Sequence, residues 1–159
     1  MQRRLLLLAT LLILPLARAN GAEPTKAQPA LPKEKLVIVT KDGQRHTFQV
    51  EMATTPEQQR VGLMFRTSVP PDGGMLFDWG TPRDVPMWME NTLVPLDMVF
   101  INPDGTIRAI AENTVPESLA NIPSHGPVRA TLELAGGTTA KLNIVVGDKV
   151  LQRIFGNPG

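Results

Sequence analysis

Apolar and polar positions alternate with a period of two along much of this chain, the pattern of strands that bury one face. Thr47-Phe48-Gln49-Val50-Glu51-Met52 alternates, Met75, Phe77 and Trp79 share a face, and so do Val128, Ala130, Leu132 and Leu134. Leu36 to Thr40 is a short β-branched run, and Leu96 to Ile101 reads as a further strand. Turn chemistry separates these segments. Asp42-Gly43 predicts a hairpin, and as a two-residue loop it pairs Val39 with His46 and Val37 with Phe48. Asn102-Pro103-Asp104-Gly105 turns the strand ending at Ile101 back into Thr106 to Glu112, the clearest hairpin of the chain. Val150 to Phe155 closes the domain as a last strand.

Helix signals are brief. Thr55 caps a helix with Pro56 at its first position and Gln58 completing a capping box, and Gly62 stops it within two turns. Gly136-Gly137-Thr138 opens a second helix that ends near Leu142, and Asn113 to Pro127 is a long loop. Many short strands with frequent turns predict a mainly β fold: a compact sandwich or barrel-like domain of short antiparallel strands with two short helices.

The stretch Val85 to Ile101 breaks the simple pattern. Two apolar runs flank a polar kink that holds Glu90, Asn91 and Thr92 and ends at Pro95. Pro86 places the first run at a sheet edge or a bulge. Trp88 has the parity of Pro86 and Glu90, opposite Met87 and Met89. A buried Trp88 is core and an exposed one a binding surface; the core reading is preferred. The methionines read as gap-fillers.

The N-terminus adds a compartment. Arg3 and Arg4 precede the apolar run Leu5 to Leu14, and Ala17-Arg18-Ala19 has the form of a cleavage site. Residues 1–19 therefore read as a secretory signal peptide, which makes the protein periplasmic or secreted. The run is too short to span a bilayer, so no membrane span remains after cleavage. Residues 20–35 carry three prolines and one large apolar group, Leu31, and read as a disordered linker; residues 36–156 form a single globular domain. Losing Arg3, Arg4 and Arg18 leaves 13 basic against 15 acidic side chains, a net −2 with no Lys/Arg cluster, so no nucleic-acid partner is expected. The absence of cysteine excludes disulfides, thiol catalysis and thiolate metal sites.

Candidate chemistry is sparse. The chain has no nucleophile elbow, no paired-histidine zinc motif and no phosphate-binding loop, and its two histidines lie far apart, so no metal and no cofactor are expected. His46 reads as a half-buried packing residue, and Ser124-His125 as a loop dipeptide rather than a catalytic pair. Asp97 shares parity with Val99 and Ile101 and faces the core if they do. Such a carboxylate needs a cation or several N–H donors, from Arg66, Arg129 or the backbone of Asn91 and Thr92. It is either a structural pin, the preferred reading, or an acid/base group with a shifted pKa.

Five ordered segments then resemble a known family: Arg60-Val61-Gly62-Leu63-Met64-Phe65-Arg66, Gly74-Met75-Leu76-Phe77, Met87 to Asp97, the Asp104-Gly105 turn, and Gly147-Asp148-Lys149-Val150. Together they resemble the domain-of-unknown-function-192 family of prokaryotic proteins, over about Leu36 to Ile154. The resemblance implies a compact, mostly β domain with short helices and supplies no activity. The family core matches at Trp88, Met89, Asn91, Thr92, Pro95, Leu96 and Asp97; its third position, often lysine, is Glu90 here.

The first functional reading is a non-catalytic exported binding or accessory domain of the cell envelope. It would recognise a small ligand or an envelope protein through Trp88, Glu90, Asn91, Thr92, Asp97 and Arg66. A structural or assembly role through the sheet edge Val85 to Met89 is one alternative. A hydrolase-like enzyme is another, with Asp97 as base, Arg66 as anion clamp and Asn91 and Thr92 as oxyanion donors.

Overall fold

Alternating strands of this length bury their apolar faces by curling into one sheet. The computed structural model describes residues 23–158, so the expected signal peptide lies outside the described residues. The elements run β1 (Lys33–Val39), β2 (Arg45–Ala53), α1 (Pro56–Val61), β3 (Gly73–Arg83), β4 (Pro86–Met87), β5 (Leu96–Ile101), β6 (Ile107–Ala111), β7 (Ile122–Pro123), β8 (Val128–Ala135), α2 (Thr138–Lys141) and β9 (Lys149–Leu151). A 3-10 turn, Arg153–Phe155, follows. No helix among the described residues is long and apolar enough to cross a membrane.

Seven strands form one sheet in the order β6-β5-β8-β3-β2-β1-β9, and β4 pairs with β7 as a separate ribbon. The sheet curls into a half-barrel. One core cluster draws on all seven strands, with Ile38, Val50, Leu76, Val99, Ile107, Leu132 and Val150 among its members. The outer strands meet at one bridge, Thr106 to Lys149, helped by the Ile107 amide donating to the Asp148 carbonyl at 2.9 Å. Asp148 is buried at this seam, where its carboxylate accepts from the Lys41 and Val145 amides at 3.0 and 2.7 Å.

The mainly β expectation holds, with differences at particular elements. Strands β2 and β3 pair in parallel, because α1 and the following turn carry the chain back to the starting end of the sheet. The first hairpin pairs Val39 with Arg45 and Ile38 with His46, one residue away from the two-residue-loop register. Its loop is longer, closed by the Thr40 amide on the Gln44 carbonyl at 3.0 Å and by Asp42 accepting from the Thr40 hydroxyl. The last strand stops at Leu151, because Gln152 caps the 3-10 turn by accepting from the Ile154 amide at 2.9 Å. The first strand begins at Lys33, and the segment before it touches the domain. Gln28 donates to the carbonyls of Gln58 and Gly62 at 3.0 and 2.9 Å, so this side chain satisfies two carbonyls at the end of α1.

A second core cluster covers the other face of the sheet, from Met75, Phe77, Met98, Phe100 and Val128, with Leu63, Val85, Met87 and Met89 laid over them. Both faces of β5 are therefore buried along its whole length.

Candidate functional site

Two tryptophans stand on one cleft. The pairing of β3 with β8 slips between Asp78 and Arg83, and beyond the slip β3 meets β8 again with Arg83 opposite Val128. Trp79 lies within this slip. Its indole N–H donates to the Thr131 hydroxyl at 3.0 Å, and its ring stacks on Phe77 with centroids 5.6 Å apart. The Arg83 guanidinium lies 4.9 Å over the ring. Helix α1 forms the facing wall with Pro56, Gln59 and Arg60, held to the sheet by Gln59 donating to the Ala53 and Asp78 carbonyls at 3.2 and 2.7 Å. Pro86, Met87 and Trp88 complete a cleft of about 460 Å³. A mostly apolar lining with a few polar side chains among it, Gln59, Arg83 and Asp84, has the character of a ligand site.

Trp88 is 47% exposed, so the preferred core reading is corrected. Met87 and Met89 face inward as parity requires, and their burial in the second cluster turns the indole outward.

The structure distributes the other expected site residues rather than gathering them. Asp97 is fully buried at the mouth of the half-barrel that α2 closes. Its Oδ1 accepts from the amides of Asn113 and Gly137 at 2.8 and 2.9 Å; its Oδ2 accepts from the amide and hydroxyl of Thr139 at 2.8 and 2.7 Å. Its donors are therefore the 113 loop and the start of α2, not Arg66, Arg129 or the Asn91–Thr92 backbone. Arg66 pairs with Glu51 at 3.0 Å, and Arg129 with Asp78. Asn91 sits at φ 52°, and its carbonyl accepts from the Phe65 amide at 2.8 Å. Thr92 is buried, and its hydroxyl turns back to the Glu90 carbonyl at 3.2 Å. Asp97, Arg66, Asn91 and Thr92 thus share no common target point. Ser124 is structural: it accepts from the Val85 amide at 2.9 Å and donates to the Gly126 carbonyl at 2.7 Å.

Sequence reasoning missed Glu133. It lies opposite Met75 on β3 and Met98 on β5, under the second core cluster. Its Oε2 is buried with no hydrogen-bond partner among the described residues, and burial pushes its carboxyl up to about 8. A neutral, donor-capable acid therefore sits in the methionine-rich wall at neutral pH. No group of three or more His, Cys, Asp or Glu side chains placed to hold a metal occurs among the described residues.

Solved structures share this fold. The chain is 46% identical to a crystal structure from Sinorhizobium meliloti 1021, described as a candidate transcription regulator, with a TM-score of 0.78 over 80% of this chain and 99% of that one. It is 38% identical to a protein of unknown function from Novosphingobium aromaticivorans DSM 12444, with a TM-score of 0.75 over 82% of this chain and 94% of that one. No curated protein matches it. The model of the DUF192 family, described as "Uncharacterized ACR", matches residues 37–152, and on that match across the whole half-barrel the chain belongs to the DUF192 family.

Proposed function

We propose that this protein is an exported, non-catalytic binding domain of the cell envelope that takes a small ligand or partner segment at the Trp79–Trp88 cleft. The observation that carries this reading is the half-exposed indole of Trp88 on an apolar cleft whose other tryptophan is fixed by three neighbours. Leaving a large aromatic in water forgoes burial worth roughly 1.5–3 kcal/mol for a large apolar side chain, a cost that a binding role accounts for. Asp97, with four donors on its two oxygens, is better suited to pinning loops than to moving protons. The sheet-edge alternative has little to pair with, since β4 is two residues long, already bonded to β7, and both strands carry proline. The regulator description of the Sinorhizobium protein finds no echo in a mature chain of net charge −2 without a basic cluster.

The two tryptophans are the only ones in the chain and both line the cleft, so intrinsic fluorescence reports it directly. Anilinonaphthalene sulfonate, an aromatic anion, should bind saturably to the native protein and quench tryptophan emission, and Trp88→Ala should weaken that binding about tenfold or more. Unchanged dye binding in Trp88→Ala overturns the cleft reading. Export is checked separately: N-terminal sequencing of exported protein should begin near Asn20, and an intact Met1 in a membrane fraction would overturn it.

A further inference from the structure

The cleft stops at Trp88, but the exposed apolar surface continues. Trp88 to Leu93 and Val115 to Leu119 run side by side, joined by the Met89 amide on the Ser118 carbonyl at 2.9 Å and the Glu117 amide on the Thr92 carbonyl at 3.0 Å. These loops hold out Leu93, Val115 and Leu119, which are 43%, 69% and 74% exposed, beside Trp88. Single exposed hydrophobics are ordinary; four on two joined loops make a patch of the kind that marks interaction surfaces. The loops are held in shape, with Asn91 and Glu117 both at positive φ, 52° and 59°. For a glutamate that conformation is costly and persists only where the surroundings impose it.

The patch carries charge of one sign. Glu90 and Glu117 belong to the two loops, and neither carboxylate has a hydrogen bond or ion pair among the described residues. Between Asp84 and Val128 the only lysine or arginine is Arg108, whose guanidinium is engaged by the His125 carbonyl at 2.9 and 2.5 Å. An apolar surface rimmed by unpaired acids complements a segment that carries cations among large apolar side chains.

We infer that this two-loop face is a docking surface for a basic, apolar peptide segment of a partner protein. The inference rests on the reading of Trp88 as a binding residue and names the partner's chemistry. Leu93, Val115 and Leu119 supply the apolar contact, Trp88 the anchor at the cleft end, and Glu90 and Glu117 the charge selection.

The test uses the mature chain and synthetic peptides that alternate leucine with lysine or leucine with glutamate. The lysine peptide should bind saturably by calorimetry and tryptophan fluorescence, more weakly as salt rises, while the glutamate peptide should not bind. The double charge reversal Glu90→Lys with Glu117→Lys should weaken the lysine peptide about tenfold or more. Asp72→Lys, an exposed reversal on a different loop, should leave it unchanged. Equal binding of both peptides, or indifference to the double reversal in a protein that still melts like the parent, overturns the inference. So does binding to phosphatidylcholine vesicles with no binding of the lysine peptide. If the dye reports the cleft and the lysine peptide fails, the docking inference falls and the cleft reading stands; if both fail, both fall.

Discussion

Two buried carboxylates lie on adjacent rungs of one ladder and meet opposite fates. Asp97 pairs with Leu134, and the next residue along, Met98, pairs with Glu133. Asp97 faces the inside of the half-barrel near its open end, where α2 and the 113 loop bring backbone amides to it. Glu133 faces the outer wall between Met75 and Met98, where nothing among the described residues brings a donor. The difference lies in what covers each face. A loop or helix start presents free N–H groups, while packed strands have already committed theirs to the ladder. Asp97 is a staple that gathers four donors, and Glu133 is an acid kept neutral by desolvation.

The largest test of this contrast is Asp97→Ala. It leaves three backbone amides without their acceptor (the Thr139 hydroxyl keeps Glu112 at 3.1 Å), each worth roughly 1–3 kcal/mol if it stays buried, so denaturant melts should show a loss of more than about 3 kcal/mol. Asp97→Asn should lose less, because one oxygen remains. A substituted protein as stable as the parent would show that Asp97 is no staple.

Glu133→Gln should act in the opposite direction at alkaline pH. Its folded pKa of about 8 lies above its unfolded value of 4.5. The stability associated with the neutral acid is fully present below the unfolded value. It is lost as pH rises through the folded one, because the unfolded chain has already released the proton. A tenfold difference in proton affinity between the two states corresponds to about 1.4 kcal/mol, so at alkaline pH the substituted protein should exceed the parent by up to several kcal/mol. Parallel melting curves from pH 5 to pH 9 (about the span of the two values) would show that Glu133 has a partner after all.

Glu51 stands between the two cases. It shares the outer face through its pairing with Met75, yet its Oε2 accepts from the Leu31 amide at 2.7 Å and from Arg66 at 3.0 Å. One of those donors comes from the segment ahead of β1. A chain that starts at Lys33 should therefore melt lower by roughly 1–2 kcal/mol, losing this bond and the two from Gln28. An unchanged melt would return residues 20–32 to the role of a free tether. The smallest effect belongs to Trp88→Ala, whose stability should stay within about 0.5 kcal/mol of the parent, since its loss is felt in binding.

The elements most legible in the sequence are those written in adjacent residues. Thr55, Pro56 and Gln58 form the capping box they spell, and Asn102 to Thr106 makes its turn, with the Asn102 amide on the Thr106 carbonyl. Partner choice across the chain is not legible. The parallel pairing of β2 with β3 has no local signature, and β7 is two residues, one of them proline, inside a loop. Glu133 is hidden because alternation in Val128 to Leu134 suggests one core side and one solvent side, and the glutamate falls on the second. The signal lies next door. Leu96 to Ile101 has five apolar residues in six, the pattern of a strand covered on both faces, and a strand hydrogen-bonded to it shares that cover. Of the site, the inward face of Asp97 beside Val99 and Ile101 is readable and its donors are not; that Trp88 lies opposite the buried Met87 and Met89 is readable, but which of the two faces meets solvent is not.

The half-barrel closes on itself through the bridge from Thr106 to Lys149, between a five-residue strand and a three-residue one. A cylinder sealed by so short a joint has a preferred place to come undone. Amide protons of β9 should exchange with deuterium well before those of β8, which is paired on both sides and buried along nearly all its length. The joint also withdraws part of the strand edges from neighbours, so transient opening there, rather than global unfolding, would be the event that offers this protein an edge for self-association.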